Sequence, residues 1–151
     1  MKLATVCYIT KDGKTLMLHR NTRKGDIHEG KWVGIGGKFD EEESPEECII
    51  REVKEETNLD IKNPKLCGIL SSYNFKGADW MIFVFSSTDC KGELSSCAEG
   101  TLEWIPNEEL HNLNLWEDNK RFLPLIDEDK FFSMKTIYKG TDKEEITLSI
   151  H

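Results

Sequence analysis

The stretch GGKFDEEESPEECIIREVKEETNL, residues 36–59, decides the fold and poses the main chemical question. Nine of its twenty-four residues are Asp or Glu. Ser44, Pro45 and Glu47 match the N-cap, first and third helical positions of a capping box, so we predict that an α-helix begins at Pro45 and spans residues 45–57. This local chemistry explains where the helix starts, but not why so many like charges lie together.

The predicted helix has an apolar side and an acidic side, because side chains advance by about 100° per residue. The apolar side, expected to pack on a sheet, holds Ile49, Ile50 and Val53, and the acidic side holds Glu52, Glu55 and Glu56. Like charges at this spacing cost only about 0.2 to 0.5 kcal/mol per pair. An isolated run of this kind is typical of a charged surface helix, so the glutamates alone do not indicate a function.

Composition limits the classes of function. The chain has 151 residues, of which 38% are hydrophobic, and we expect one globular domain over residues 1–151. Its formal net charge of -8 opposes binding to long nucleic acids and to anionic membranes. The N-terminal MKLATVCYIT is too short for a signal sequence or a membrane span. Five cysteines without a Cys-x-x-Cys pair indicate reduced thiols in the cytoplasm rather than disulfides or a zinc site.

Most of the remaining chain has the pattern of β-strands. Two runs, 3–10 and 14–19, are joined by Asp12-Gly13, which is a strong hairpin signal. Further predicted strands are 65–74, 80–88, 100–105, 135–139 and 145–150, the last two joined by the turn KGTDK at 139–143. A second helix is expected after Trp116, where Pro124 should kink or end it. Strands around two helices predict an α+β fold, a mixed β-sheet sandwich flanked by helices in an α/β/α arrangement.

The residues around the glutamates resemble a known motif. Gly37, Glu43 and the run REVKEETNL at 51–59 match the Nudix box, G-x5-E-x7-R-E-U-x-E-E-x-G-U with U aliphatic, over residues 37–59. The one departure is Asn58 in place of the last glycine. That position follows the helix C-terminus, where a left-handed residue is needed and Asn is the usual substitute for Gly.

The resemblance to the Nudix family implies a metal site. In this family the box binds divalent cations, usually Mg²⁺ or Mn²⁺, which bridge the helix carboxylates to a substrate diphosphate. By position, the implied metal ligands are Glu52, Glu55, Glu56 and the carbonyl of Gly36. Arg51 and Glu43 are implied to orient these groups by pairing. One glutamate, taken here as Glu52, would accept the proton of the attacking water, and the identity of this base stays open.

The resemblance extends beyond the box and is closest to the MutT-like oxidised-purine nucleotide diphosphatases. It is carried by HEGKWVGIGGK at 28–38, AEGTLEWIP at 98–106 and LWEDNKRFLPLI at 115–126, followed by KFFSMKTIYKG. The residues that it implicates in substrate binding are Glu99 near the metal or the water, Trp116 over the purine, and Asp118 and Asn119 at the base edge. Arg20 and Lys38 are further candidates for contacts with the phosphates.

Each of these substrate residues also has a purely structural interpretation. Trp116 could be a half-buried core aromatic, and Asp118 and Asn119 could serve the first turn of a helix. Arg20 and Lys38 could simply extend along the surface. His19, His28, His111 and His151 share no ligand spacing, so each is expected to be a surface or hydrogen-bonded histidine.

The resemblance predicts a metal-dependent pyrophosphohydrolase that converts 8-oxo-dGTP to the monophosphate and pyrophosphate, a DNA-repair role in cleaning the nucleotide pool. Some relatives read the base with an Asn between the Trp and Gly of W-x-G, where this chain has Val33, so specificity could differ. The alternative substrates are an RNA 5′ end, a dinucleoside polyphosphate or ADP-ribose, and the net charge of -8 counts against RNA. A non-catalytic nucleotide-binding module is the alternative from another class, and the retained box glutamates count against it.

Overall fold

The computed structural model describes residues 1–139 and 143–151. The strands and helices are β1 (Lys2–Lys11), β2 (Lys14–His19), β3 (Trp32–Val33), β4 (Ile35–Lys38), α1 (Pro45–Thr57), β5 (Asp60–Ile61), β6 (Lys65–Phe75), β7 (Ala78–Ser87), β8 (Cys90–Lys91), β9 (Thr101–Pro106), a 3₁₀-helix (Asn107–Asn112), α2 (Glu117–Asp127), β10 (Phe132–Lys139) and β11 (Lys143–Ile150). Of the predicted KGTDK turn, residues 140–142 lie outside the described residues. None of the helices in the described ranges is long and apolar enough to cross a membrane.

Strand β1 is shared by the two parts of a mixed sheet. Residues 4–7 pair with β4 on one side, and residues 2–9 pair in parallel with β7 on the other. The order continues from β7 through β6 and β10 to β11. Its last two residues, Thr10 and Lys11, pair with β2, which also pairs with β3 and β9. Asp12 and Gly13 both have positive φ values, 53° and 73°, which confirms the predicted tight hairpin between β1 and β2.

The core lies on both faces of this sheet because successive strand residues point to opposite sides. On β1, Cys7 and Ile9 pack in the cluster that contains Ile49 and Val53 of α1. Tyr8, between them, packs in the cluster that contains α2. The predicted α+β fold with helices on both faces of the sheet is therefore confirmed.

Helix α1 begins where its capping box predicted. The Ser44 hydroxyl accepts a hydrogen bond from the Glu47 backbone N–H at 3.1 Å, and the Glu47 carboxylate accepts one from the Ser44 N–H at 3.0 Å. Asn58 ends the helix in the left-handed conformation, with φ of 68°, as its place in the motif predicted.

One expectation about the helices is wrong, and one of the two alternatives for Pro124 is excluded. Ile50 does not pack on the sheet and is 40% exposed, whereas Ile49 and Val53 are fully buried. The buried stripe of α1 is rotated away from Ile50 and toward Glu56, which lies only about 20° from Ile49 around the helix axis. Helix α2 does not end at Pro124 but continues to Asp127. Proline removes only one backbone N–H from the helix, and Phe122 and Leu125 are buried on either side of it.

Candidate active site

Helix α1 lies against a strand that has no side chains at the contact. Gly36 and Gly37 are on β4, and a Cβ added at Gly37 would overlap the Glu52 carboxylate. A Cβ added at Gly36 would overlap the backbone of Thr5 on β1. Gly37 is therefore needed for the close approach of α1, which places the Glu52 carboxylate directly on the main chain of β4, and Gly36 is needed for the close approach of β4 to β1.

Arg51 neutralises much of the acidic side of the helix. Its guanidinium donates hydrogen bonds to both carboxylate oxygens of Glu43, at 2.7 and 2.9 Å, and to Glu52 and Glu55, at 3.0 and 3.1 Å. It also donates to the carbonyl of Lys38 at 3.0 Å. The hydrogen bonds from Arg51 lower the pKa of Glu43 to about 2. The pairing that the motif implies is present, and this arginine explains part of how the like charges are tolerated.

Glu56 is held differently from the other glutamates. Among the described residues, its Oε2 is buried and accepts no hydrogen bond. Burial, with the nearby carboxylates of Glu99 and Glu52, raises its pKa to about 8. Burial also raises the pKa of Glu52, although its hydrogen bond from Arg51 works in the opposite direction. At Glu56, the Gly36 backbone and the Arg20 charge act in the opposite direction to burial but do not outweigh it, so one oxygen of Glu56 stays buried without a hydrogen-bond donor from the described part of the chain.

Glu99 is brought to the helix glutamates from a distant part of the sequence. It lies in the turn before β9, where Gly100 packs against the backbone of His19 too closely to admit a side chain. Its carboxylate forms an ion pair with Arg20 at 3.4 Å, and Arg20 forms another with Asp26 at 2.9 Å. Arg20 thus sits beside the carboxylate group rather than extending along the surface.

The donors present suit a hard divalent cation, which prefers carboxylate and carbonyl oxygen. The uncompensated oxygen of Glu56 and the crowding of Glu52, Glu56 and Glu99 are what a bound cation would relieve. In residues 1–139 and 143–151, no three Asp, Glu, His or Cys side chains already converge in the arrangement of a formed metal site. Arg51 forms ion pairs with Glu52 and Glu55, at 3.0 and 3.1 Å.

A second group of residues surrounds Trp116, immediately before α2. The indole Nε1 donates a hydrogen bond to His28 Nδ1 at 2.9 Å, and the Lys31 ammonium lies 4.7 Å from the centroid of the Trp116 ring system. Phe75 packs against Trp116 at a centroid distance of 5.2 Å and against Tyr138 at 5.0 Å. Trp116 is thus a partly buried aromatic with partners on several sides.

The two residues expected at the base edge differ in exposure. Asp118 is only 5% exposed, and its Oδ1 accepts a hydrogen bond from the Asn119 backbone N–H at 2.7 Å. Tyr8, which is buried on β1, lies near enough to Asp118 that burial and this carboxylate together raise the pKa of the phenol. Asn119 is partly exposed at the start of α2.

Arg20 connects the two groups, since it pairs with Glu99 and also contributes, after burial, to lowering the pKa of His28. The Lys38 side chain is exposed, and its ammonium lies 5.6 Å from the centroid of the Trp80 ring. The sequence did not single out His28, Phe75 or Tyr8 as site residues. Their side chains reach the site only through the tertiary fold, and no spacing in the chain marks them.

Comparisons with known proteins agree with this geometry. The family model for the NUDIX domain matches residues 1–126. An uncharacterized Nudix hydrolase, YvcI, from Bacillus subtilis is 33% identical over 118 residues, which cover 75% of this chain and 71% of that protein. The oxidized purine nucleoside triphosphate hydrolase of Danio rerio is 25% identical over 143 residues, which cover 93% and 89%. The crystal structure of a MutT protein from Bacillus halodurans superposes with a TM-score of 0.87 and 29% identity, covering 98% and 97% of the two chains.

Proposed function

The chain belongs to the Nudix hydrolase family, and we propose that it is a divalent-metal-dependent pyrophosphohydrolase of nucleoside triphosphates that acts best on 8-oxo-dGTP. The products would be the nucleoside monophosphate and pyrophosphate. The observation that carries this proposal is the buried Glu56 carboxylate oxygen, which accepts no hydrogen bond among the described residues and whose carboxylate feels the negative charges of Glu99 and Glu52. A relative whose name states hydrolysis of oxidized purine nucleoside triphosphates supports the substrate class.

Glu52, Glu55, Glu56 and the carbonyl of Gly36 would hold Mg²⁺ or Mn²⁺. The cation would lower the pKa of the attacking water and stabilise negative charge on the phosphoryl oxygens. Glu99, whose charge contributes to the raised pKa of Glu56, would help to bind the cation or position the water.

The remaining steps depend on the side chains themselves. Glu52 is the proposed acceptor of the water proton, because burial raises its pKa and a more basic carboxylate accepts a proton more readily. Arg51 donates to Glu52, and Glu43 binds Arg51 from the other side. This pairing holds the base in one orientation while the substrate phosphates bind beside it, with Arg20 and Lys38 as the proposed phosphate contacts.

Selection of the damaged base would follow from one hydrogen bond. Oxidation at C8 changes guanine N7 from an acceptor to an N–H donor, so an oxygen of Asn119 or Asp118 at that edge would favour 8-oxo-dGTP. A site built around such a hydrogen bond can discriminate by about 10⁴, whereas shape alone gives about 10 to 10². Val33 provides no side-chain hydrogen bond at a position where some relatives have Asn, so we expect a preference between these limits. The biological role would be sanitation of the cytoplasmic nucleotide pool, which prevents incorporation of the oxidised base into DNA.

The test is kcat/KM for 8-oxo-dGTP and dGTP in the wild type, Trp116→Ala and Asn119→Ala. Loss of Trp116 should lower kcat/KM for both substrates, because stacking contributes about 1 to 3 kcal/mol to binding and does not depend on the identity of the base. Loss of Asn119 should bring the ratio of kcat/KM for 8-oxo-dGTP to kcat/KM for dGTP closer to one. Equal wild-type values for the two nucleotides would refute the oxidised-purine assignment. A wider panel with dinucleoside polyphosphates and ADP-ribose, run with Mg²⁺, would then identify the better substrate.

A further inference from the structure

The orientation of the Trp116 ring is restrained by a hydrogen bond to a histidine that lies far away in the sequence. His28 and Trp116 are 88 residues apart, and the loop between β2 and β3 brings them together. The hydrogen bond of 2.9 Å joins the edge of the indole to the edge of the imidazole, and the two rings meet at 80°. Because a hydrogen bond is directional, this contact favours one rotation of the indole about its attachment to the chain, in addition to the restraint from packing.

The hydrogen bond also specifies the form of the histidine. An indole N–H can only donate, so Nδ1 of His28 must carry a lone pair, and the proton must lie on Nε2. Burial and the nearby Arg20 lower the pKa of His28, while Asp26 acts in the opposite direction. Burial and the Arg20 charge therefore favour the neutral imidazole, which can accept the hydrogen bond from Trp116.

Phe75 fixes the histidine in turn. Its ring is stacked on His28, with centroids 5.7 Å apart and planes at 19°, and it meets Trp116 edge to face at 86°. Phe75 thus contacts both partners of the hydrogen bond. His28, Phe75 and Trp116 form one packed unit, which we call the aromatic clamp.

We propose that His28 is a positioning residue that sets the orientation of Trp116 for stacking on the nucleobase. The proposal rests on the proposed function, in which Trp116 covers the purine. His28 would then be a determinant of substrate affinity that lies outside both the Nudix box and the segment around Trp116. Because His28 does not contact the reacting phosphates in this arrangement, its loss should raise KM and leave kcat nearly unchanged.

The experiment compares two replacements of opposite character. His28→Asn keeps a hydrogen-bond acceptor near the position of Nδ1, and His28→Phe keeps an aromatic ring but removes the acceptor. A net hydrogen bond of ordinary strength corresponds to a change of about threefold to tenfold. His28→Phe should therefore raise KM for 8-oxo-dGTP by about that factor, and His28→Asn should remain close to the wild type. His111→Asn, at an exposed histidine on the 3₁₀-helix, is the control.

Trp116→Phe completes a double-mutant cycle, because it keeps an aromatic surface and removes the donor. In that background, His28→Phe should have no further effect on KM. The indole N–H signal of Trp116 in ¹H–¹⁵N spectra provides a readout that needs no substrate. It should move in His28→Phe and stay near its wild-type position in His111→Asn.

The possible failures are distinguishable. An active wild type whose KM is unchanged in His28→Phe overturns the positioning role, as does an additive double-mutant cycle. An unchanged Trp116 indole signal in His28→Phe overturns the hydrogen bond itself. A wild type that hydrolyses no nucleotide with Mg²⁺ or Mn²⁺ overturns the proposed function on which the role depends.

Discussion

Glu56→Gln removes the carboxylate whose Oε2 is buried without a hydrogen-bond donor among the described residues. The effect of this substitution on the free energy of unfolding follows from the structure. The pKa of Glu56 is about 8 in the folded protein, against an ordinary value of 4.5 in the unfolded chain. Between these values the folded state retains a proton that the unfolded state has released. The free energy of unfolding therefore falls as pH rises through this range, and the full cost is present above pH 8.

The size of the effect follows from the two pKa values. Each pH unit between them costs about 1.4 kcal/mol, so the Glu56 contribution should reduce the stability of the metal-free wild type by about 2 to 3 kcal/mol from pH 5 to pH 7. Glutamine has no charge to lose and should be free of this cost. Glu56→Gln is thus expected to be more stable than the wild type at pH 7 in EDTA, with a smaller difference at pH 5.

Urea unfolding at several pH values in EDTA measures this difference. Glu55→Gln is the matched control, because the Glu55 side chain is 59% exposed on the same helix. Adding Mg²⁺ at pH 7 should stabilise the wild type and have less effect on Glu56→Gln, which should also lose about a hundredfold or more in kcat. Parallel pH profiles for the wild type and Glu56→Gln would refute the claim that this carboxylate is buried and crowded.

Three other substitutions test separate parts of the fold and site. Ser44→Ala should reduce the free energy of unfolding by about 1 kcal/mol through loss of the helix cap, and an unchanged thermal melt would show that the cap is not needed. Phe122→Ala should cost about 3 to 5 kcal/mol in denaturant unfolding, because the ring is fully buried against Phe132 and Tyr8. The lowered pKa of Glu43 stabilises the fold above pH 4.5, and this contribution is lost as the pH falls to about 2. In Glu43→Gln the free energy of unfolding should therefore fall less over this pH range than it does in the wild type.

Local chemistry was enough to predict the start and end of α1 and the first hairpin. A capping box, a left-handed Asn and an Asp-Gly turn each specify backbone geometry through neighbouring residues alone. The four short strands, such as β3 and β5, were not predicted, because two to four residues carry too little periodicity. The rotation of α1 was also mispredicted at Ile50. Apolar residues set the expected side, whereas in the structure Glu52 contacts Gly37 and Glu56 interacts with the Gly36 backbone, so both glutamates face the sheet.

The positions of the site residues could be predicted from the sequence only within the Nudix box. The glutamates and Arg51 follow one another in the box, so their proximity in α1 could be expected from helical spacing. The contact between His28 and Trp116 depends on how the loop after β2 folds over the start of α2, and neither residue type nor spacing indicates it. The same holds for Arg20, whose pairing with Glu99 joins segments 79 positions apart in the sequence.

The most direct test of the proposed chemistry is the identity of the products formed from 8-oxo-dGTP. The nucleotide is incubated with the protein and Mg²⁺, and the phosphorus-containing products are followed by ³¹P NMR. We predict equal amounts of 8-oxo-dGMP and pyrophosphate, and no reaction when EDTA removes the metal. Release of orthophosphate with 8-oxo-dGDP, or no turnover of any nucleoside triphosphate with Mg²⁺ or Mn²⁺, would contradict the account.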